Sequence, residues 1–506
     1  MHRPQSAEAE VAAELAEVRP DLVSRYTAEL PGARAAVLTR LWRALAYEPL
    51  PWVTARERGG EGLTLRLSDG RRLHGPHADP YATAGYVTDV RLDGTSYDDP
   101  ARLLAELSVA HGTSFAAELG HSVASLALSR AGQVARSEEW PSPEWEWEWE
   151  QRVVDGHPFH PNCRSRPGFS VAEQLAYGPE HRPVVTLGPV PVRAAECLVT
   201  GAWPQDLRDG GRLLIPVHPW QAEHVLKRPR APYDDGIAAH PLMSLRTLAL
   251  PGGPHVKTAL SARLTSSVRD ISGYSIGLSA TLSSFAEMLA ARMDGLLHVT
   301  RTLGAATAGS PDLAAVVRES PRAYEGPGER VVPVAALATT QLPRSPQWLA
   351  EFTRLALTVG LRLLELGVAL EAHGQNLLVV LSADGSPVRL VYRDLADIRV
   401  GPARLARHGV PVPELTGRIV TDDVTALRRK LFGSLVAGAL AGTAGSGPAL
   451  RTALEAVVHD LPDTADLAAL RTQPLPTKAL TLMRLSPGTP GDRWARLPNA
   501  LVSEVF

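Results

Sequence analysis

Apolar residues recur at helical spacing over residues 7–18, 35–45 and 100–128, so the first 150 residues read as mostly helical. One stretch has the other period: residues 63–67, Asp69-Gly70 and residues 71–74 predict a single hairpin. At 144–150, Trp145, Trp147 and Trp149 alternate strictly with Glu144, Glu146, Glu148 and Glu150, which predicts a half-buried strand. Residues 215–221 predict a buried strand entering a proline-stopped loop that ends on His218 and Gln221. In the run that follows His255, Val256, Thr258, Leu260 and Ala262 alternate with Lys257, Ala259, Ser261 and Arg263, one strand with Lys257 on a face. Residues 280–350 read as helices joined by Pro- and Gly-rich loops. Phe352, Leu355, Val359 and Leu363 form one stripe of an amphipathic helix over 352–365, and Gly367 fits its C-terminal stop. Residues 377–381 and 388–392 flank Asp384-Gly385, a strong hairpin signal. A ribbon of that length returns to its start, so Asp394 is expected within a few ångströms of the His373–Asn376 cluster. Helices resume at 423–440 and 448–459 around a 442–447 linker, before a closing segment to residue 501.

A chain of 506 residues can bury a large interior and divide into two to four domains. With 52 basic and 54 acidic residues the formal charge is −2, which argues against a nucleic-acid partner. No apolar run reaches the length of a membrane span and the start does not read as a signal peptide, so a cytoplasmic protein without a membrane partner is expected. Cys163 and Cys197 are the only cysteines. Two thiols exclude a disulfide framework, an all-cysteine metal site and a reductase built on an iron–sulfur cluster.

The chemistry lies in separate polar islands. Pro158 and Pro161 stiffen the loop that carries His157, His160, Arg164 and Arg166, four side chains suited to a polycarboxylate or a phosphate. Zinc is the competing reading of that loop, but a third and fourth ligand are missing nearby. His111 and His121, on the helical run with Glu118, fit a solvated face. Ser244, Arg246 and Thr247 form a second island; Lys257, Thr265 and Arg269 a third; Glu371, His373, Gln375, Asn376 and Asp394 a fourth. The chain has no Gly-x-Ser-x-Gly elbow in a strand–turn–helix context, no G-x-x-x-x-G-K-[ST] loop and no GxGxxG. Carboxylates, an amide and an imidazole meeting at a hairpin mouth suit a magnesium-bound triphosphate, and the other islands suit an anionic second substrate.

In order, GHPFHPNCRSRPGF, IPVHPWQ, SLRT, HVKTALSARLTSSVR, EAHGQN and YRD resemble the IucA/IucC family, the NRPS-independent siderophore synthetases, over roughly residues 100–506. The resemblance implies an α+β cupped hand with mixed and antiparallel sheets. It divides into a thumb-like, mostly helical part (1–150), a β-rich fingers-like part (151–345) and a palm-like part with C-terminal helices (346–506). It implies a ligase that uses magnesium ATP to adenylate a carboxylate of citrate or a related acid, joins it to an amine or alcohol, and works as a homodimer. Carried over by motif, Ser244, Arg246, Thr247, Lys257, Thr265, Arg269, His373, Gln375, Asn376 and Asp394 would hold the nucleotide. Glu371, Asn376 and Asp394 would lie at the magnesium. His157, His160, Arg164, Arg166, Thr265 and Arg269 would face the acid, with Lys257, Arg269, His373 and His160 as the catalytic set. Arg164 stands where the family's loop usually has Lys, and Asn499-Ala500-Leu501 where Asn-Pro-Leu is usual. Two other classes compete: a kinase-like phosphotransferase, from His373-Gly374-Gln375-Asn376 followed by Arg393-Asp394, and a non-catalytic siderophore- or citrate-binding protein.

Overall fold

Ser6 opens the helix Ala7–Val18 by accepting a hydrogen bond from the Ala9 amide. With Val23–Tyr47, Pro100–Leu107 and Gly112–Ala131 it shares a core with a five-stranded antiparallel meander. The meander runs Val53–Gly59, Gly62–Leu67, Arg72–Gly75, Val90–Leu92 and Thr95–Tyr97. Tyr26, Trp42, Leu65 and Phe115 fill this core. The computed structural model describes residues 6–133, 141–227, 236–264 and 267–502.

A nine-stranded antiparallel sheet follows. Its spatial order is Leu198–Gly201, Thr302–Thr307, Ala314–Arg318, His255–Thr258, Thr247–Ala249, Ile237–Pro241, Val185–Arg193, Arg212–Val217 and Arg208–Asp209. Lys257 faces Thr247 on one side and Val316 on the other, well inside the sheet. A four-stranded sheet orders Leu297–Val299, Pro387–Tyr392, Leu377–Leu381 and Arg330–Pro333, with Leu297–Val299 parallel to its neighbour and the other pairs antiparallel. The amphipathic helix Pro346–Leu366 packs on this sheet, started by the Ser345 hydroxyl and stopped by Gly367 at φ +98°. No helix among the described residues is long and apolar enough to cross a membrane.

Mixed α/β structure was legible; several elements differ from their pattern. The tryptophan–glutamate alternation is a helix, Glu146–Gln151, and not a strand. Glu148 starts it by accepting from the Glu144 and Trp145 amides (2.9 Å each). Trp149, Glu146 and Glu150 then turn inward on one side, a helical face hidden inside a period of two. Residues 280–350 are not mainly helical: after Gly273–Ala290 come the strands Leu297–Val299, Thr302–Thr307, Ala314–Arg318 and Arg330–Pro333, short apolar runs that periodicity cannot separate from buried helix. The 255–264 run breaks at Ala259 into His255–Thr258 and Leu260–Leu264, which join different sheets. His218 ends no loop; its Nδ1 accepts from the Trp220 amide and starts the helix Pro219–His224. The N-terminal hairpin belongs to the larger meander, and the 423–440 helix widens to π geometry over Phe432–Leu440.

Candidate functional site

The hairpin Leu377–Leu381/Pro387–Tyr392 pairs Leu377 with Tyr392, so its two ends meet as the ribbon geometry requires. The Arg393 amide donates to the Asn376 carbonyl (3.0 Å), and Asp394 follows with its backbone in the left-handed region at φ +68°. From there its carboxylate reaches the nine-stranded sheet: Lys257 Nζ donates to Asp394 Oδ2 at 2.6 Å, and Arg318 Nη2 stands 3.9 Å from the same oxygen. Burial would push the Asp394 carboxyl up, but Lys257, Arg318 and Arg246 outweigh it and hold it well below the usual range. Burial pushes the Lys257 ammonium down to about 8 despite the support of Asp394, with Arg246 and Arg318 adding to the fall.

Ser244 and Thr247 build the turn beside this pair, the Thr247 amide donating to Ser244 Oγ (3.2 Å). Leu245 between them lies at φ +61°, a conformation that a leucine adopts only where its surroundings impose it. The Thr258 amide donates to the Arg246 carbonyl (2.8 Å), locking this turn to the lysine strand. Arg246 Nη1 donates to the carbonyls of Arg269 (2.6 Å) and Asp270 (2.7 Å), and burial lowers its guanidinium to about 10. Arg269 is lowered by burial while Asp394 and Glu371 raise it, so it lies within electrostatic reach of both carboxylates. Thr265 lies outside the described residues.

A cavity of about 250 Å³ opens here. Arg246, Lys257, Arg318 and Asp394 line it together with Tyr274, Leu278 and Ile419. Ser272 and Ser275, at the start of the helix Gly273–Ala290, also border it. A larger cavity, about 480 Å³, lies at Glu287, His298, Arg301, Glu319 and Tyr324 and contains none of the islands.

The remaining islands lie within electrostatic reach of one another and of Arg269. Gly156, at φ +68°, opens the loop where a Cβ would stand 2.4 Å from the Cys163 carbonyl oxygen. His157 Nδ1 then accepts from the Phe159 amide (3.1 Å) and His160 Nδ1 from the Asn162 amide (3.0 Å). The two rings lie 6.0 Å apart. Burial lowers His157 well below its ordinary value, helped by His160 and His373. Burial takes His160 to about 3, with Arg484 and Arg269 adding to the fall. The buried His160 Nε2 finds no hydrogen-bond partner among the described residues. His373 Nδ1 accepts from the Gln375 amide (3.2 Å), and burial keeps its ring neutral. Gly374 fits because a Cβ there would press on the Ala335 backbone at 3.0 Å.

Two expectations need correction. Arg164 and Arg166 do not extend into the cleft as free anion-binding groups. Both converge on buried Glu180, at 3.4 and 2.7 Å, and Arg164 also donates to the Val153 and Val154 carbonyls. Glu371 is not a free metal ligand either: its Oε1 takes Lys430 Nζ (3.0 Å) and Lys478 Nζ (3.1 Å). Asn376 donates Nδ2 to the Glu371 carbonyl (3.4 Å). Among the described residues no cluster of three or more His, Cys, Asp or Glu is placed to hold a metal by itself. The donor set suits magnesium that arrives with phosphate oxygens and needs only one or two protein carboxylates.

Sequence reading missed Arg318, Arg393, Glu150, Lys430 and Arg484. Arg393, which the sequence gives only a kinase-like echo, donates from Nε and Nη2 to the Gln375 carbonyl (3.0 and 2.8 Å). Arg318 ends an apolar run read as helix, so nothing pointed it inward.

Residues 146–339 match the family model described as the IucA / IucC family, and residues 346–447 match one described as a ferric iron reductase FhuF-like transporter. A citryl-spermidine/3,4-dihydroxybenzoyl-citryl-spermidine:spermidine ligase of Bacillus anthracis is 26% identical over 309 residues, 48% of this chain and 50% of the ligase. Staphyloferrin A synthase of Staphylococcus aureus is 22% identical over 349 residues, 58% of this chain and 59% of the synthase. The chain thus spans about half the length of the curated relatives it matches. In fold it superposes on the petrobactin biosynthesis protein AsbB of Bacillus anthracis with a TM-score of 0.76, at 19% identity over 99% of this chain and 98% of the other. The ATP-bound aerobactin synthetase IucA of Klebsiella pneumoniae gives 0.72 at 19% identity, over 93% and 99% of the two chains.

Proposed function

Residues 146–339 of this chain are an IucA/IucC family segment, and from that premise we propose an AMP-forming acid–amine ligase of siderophore assembly. It activates a carboxylate of citrate or a related polycarboxylic acid with ATP and passes the acyl group to an amine or alcohol. The observation that carries the reading is the 2.6 Å contact between Lys257 and Asp394, which joins the lysine strand to the hairpin mouth. Attack of a carboxylate on the α-phosphate brings two anions together. Lys257, Arg246, Arg269 and Arg318 are the fixed cations that offset this repulsion in a cleft with little water.

The cavity's apolar end at Tyr274, Leu278 and Ile419 suits the base, and its cationic end suits the phosphates. The start of the 18-residue helix at Ser272 adds backbone donors for a phosphate. By motif, Ser244 and Thr247 are assigned to the phosphates and His373, Gln375 and Asn376 to the nucleotide. Asp394, once Lys257 turns to the phosphates, would be the carboxylate that holds magnesium, with Glu371 behind it, and the metal would neutralise phosphate charge. His157 and His160 face the acid, together with Arg269. Neutral His160 accepts at Nδ1 and so carries its proton on Nε2, and that unpartnered N–H is suited to donate a hydrogen bond to the acid's carboxylate. Arg164 and Arg166 support this pocket from behind through Glu180. Thr265 stays in the proposed site on its motif alone.

The cupped-hand division into three parts, a homodimer and a cytoplasmic location belong to the same reading. Iron reduction does not: residues 346–447 contain no cysteine to hold a cluster.

Incubation with magnesium ATP and a panel of acids (citrate, 2-oxoglutarate, succinylated amines), trapping activated acid with hydroxylamine, tests the reading. Acid-dependent AMP and pyrophosphate are expected. ADP in their place would make the protein a phosphotransferase, and no nucleotide turnover with any acid would leave a binding protein.

A further inference from the structure

The tryptophan–glutamate helix has no part in the nucleotide cavity, yet its two inward carboxylates bond residues one to three positions from several that line it. Glu150 Oε1 accepts from Arg393 Nη1 at 2.7 Å, with both side chains 5% exposed or less. Glu150 Oε2 accepts from the Met243 amide (3.0 Å), the residue before Ser244. One carboxylate therefore holds the start of the Ser244–Thr247 turn and the arginine beside Asp394. Through Arg393 it also fixes the Gln375 carbonyl.

Glu146 lies one helical turn earlier on the same face. Its Oε1 meets His255 Nε2 and Ser320 Oγ, both at 3.0 Å. His255 precedes Lys257 by two residues and points to the same side of the strand, and its cross-strand neighbour is Arg318. The outer face is anchored as well. Trp147 stacks flat on His240 with ring centroids 3.7 Å apart, and Arg322 covers Trp145 at 4.2 Å.

We infer that Glu146 and Glu150 are positioning residues: a two-carboxylate brace that sets the distance between Lys257 and Arg318 on the nine-stranded sheet and Asp394 on the hairpin. The inference rests on the proposed ligase reading. The sheet and the hairpin belong to separate hydrophobic cores. A side chain bonded to both sides fixes a spacing that neither core sets alone. A small misplacement of reacting groups costs about a hundredfold in rate, so the brace should register in turnover more than in folding.

The test is a double-mutant cycle on full-length protein, with Glu150→Gln, Arg393→Gln and the pair. Calorimetric titration with magnesium ATP and acid-dependent AMP release are both followed. Wild type binding no ATP with every acid idle would remove the ligase reading itself, independently of the brace. With an active wild type, each single variant is expected to lose about a hundredfold in kcat, to shift KM for ATP less than tenfold, and to lose nothing further in the pair. A folded Glu150→Gln protein within threefold of wild-type kcat, or losses that multiply in the pair, would overturn the inference. If these variants fail to fold, Glu146→Ala carries the test, since it leaves the Arg393 pair intact. It is expected to weaken ATP binding about tenfold through Lys257 and Arg318, and unchanged affinity would overturn the brace.

Discussion

Lys257 sits 9% exposed against Asp394, and its ammonium is held near a pKa of about 8. Two outcomes follow at the scale of single residues. Lys257→Ala is expected to reduce acid-dependent AMP formation by about a thousandfold, the upper range for deleting one electrostatic contact in a catalytic cleft, with circular dichroism unchanged. In the wild type, kcat/KM for ATP should fall above pH 8 as the free enzyme loses that proton. Folding lowers both groups of the pair, so each makes stability rise with pH, in separate windows. The folded lysine holds fewer protons than the unfolded one between about 8 and 10.4, so its burial penalty is relieved as pH rises through that window. Asp394 is depressed when folded, so its contribution is present above about pH 3.9 and disappears in acid. Arg164→Lys, which the motif alone aims at acid selection, is expected to act on stability. An ammonium cannot serve Glu180 and two carbonyls together, so the loss should be about 1–3 kcal/mol in denaturant titration with little change in the KM for the acid.

Elements built on a strong local signal were legible. Ser345, the stripe over 352–365 and Gly367 mark one helix, and Asp384-Gly385 marks one hairpin; each needs only its own neighbourhood. Ser345→Ala should therefore cost about 1 kcal/mol and leave activity alone, as read by thermal melting beside an AMP-release assay. Elements decided by burial on both faces were illegible. Thr302–Thr307 and Ala314–Arg318 look like helix fragments until the sheet supplies their partners, and with them Arg318 entered the site unannounced. The Glu146–Gln151 helix misled for the opposite reason: its composition imitates a strand, and only distant His255 and Arg393 fix which glutamates turn in. Reading by contiguous motif brought Arg246, Lys257 and Asp394 to one cavity. It failed at Arg164, Arg166 and Glu371, where buried countercharges far along the chain intervene. Gly156→Ala tests the loop as an element: a Cβ against the Cys163 carbonyl should displace His157 and His160, lowering acid-dependent turnover at least tenfold while ATP affinity holds.

At the scale of the molecule, the C-terminal segment returns to the N-terminal helices. Glu48 accepts from the Thr481 and Leu482 amides (3.1 and 2.7 Å), and Arg484 pairs with Glu118 beside His160. Burial raises the Glu48 carboxyl to about 7 against the pull of those amides. A raised carboxyl favours folding most below its unfolded value and loses that advantage as pH climbs to 7. Between pH 5 and 7 this group should withdraw roughly 2 kcal/mol, and Glu48→Gln should flatten that part of the melting-temperature profile.

The Lys257–Asp394 contact has one more consequence, for the end of a catalytic cycle. Cation and carboxylate satisfy each other, so the cationic end of the cavity carries its own counter-charge. In the proposed ligase, Asp394 would compete with departing pyrophosphate for Lys257 at the effective concentration of a tethered group. The same attraction would set inorganic phosphate and stray polyanions against a carboxylate that never diffuses away.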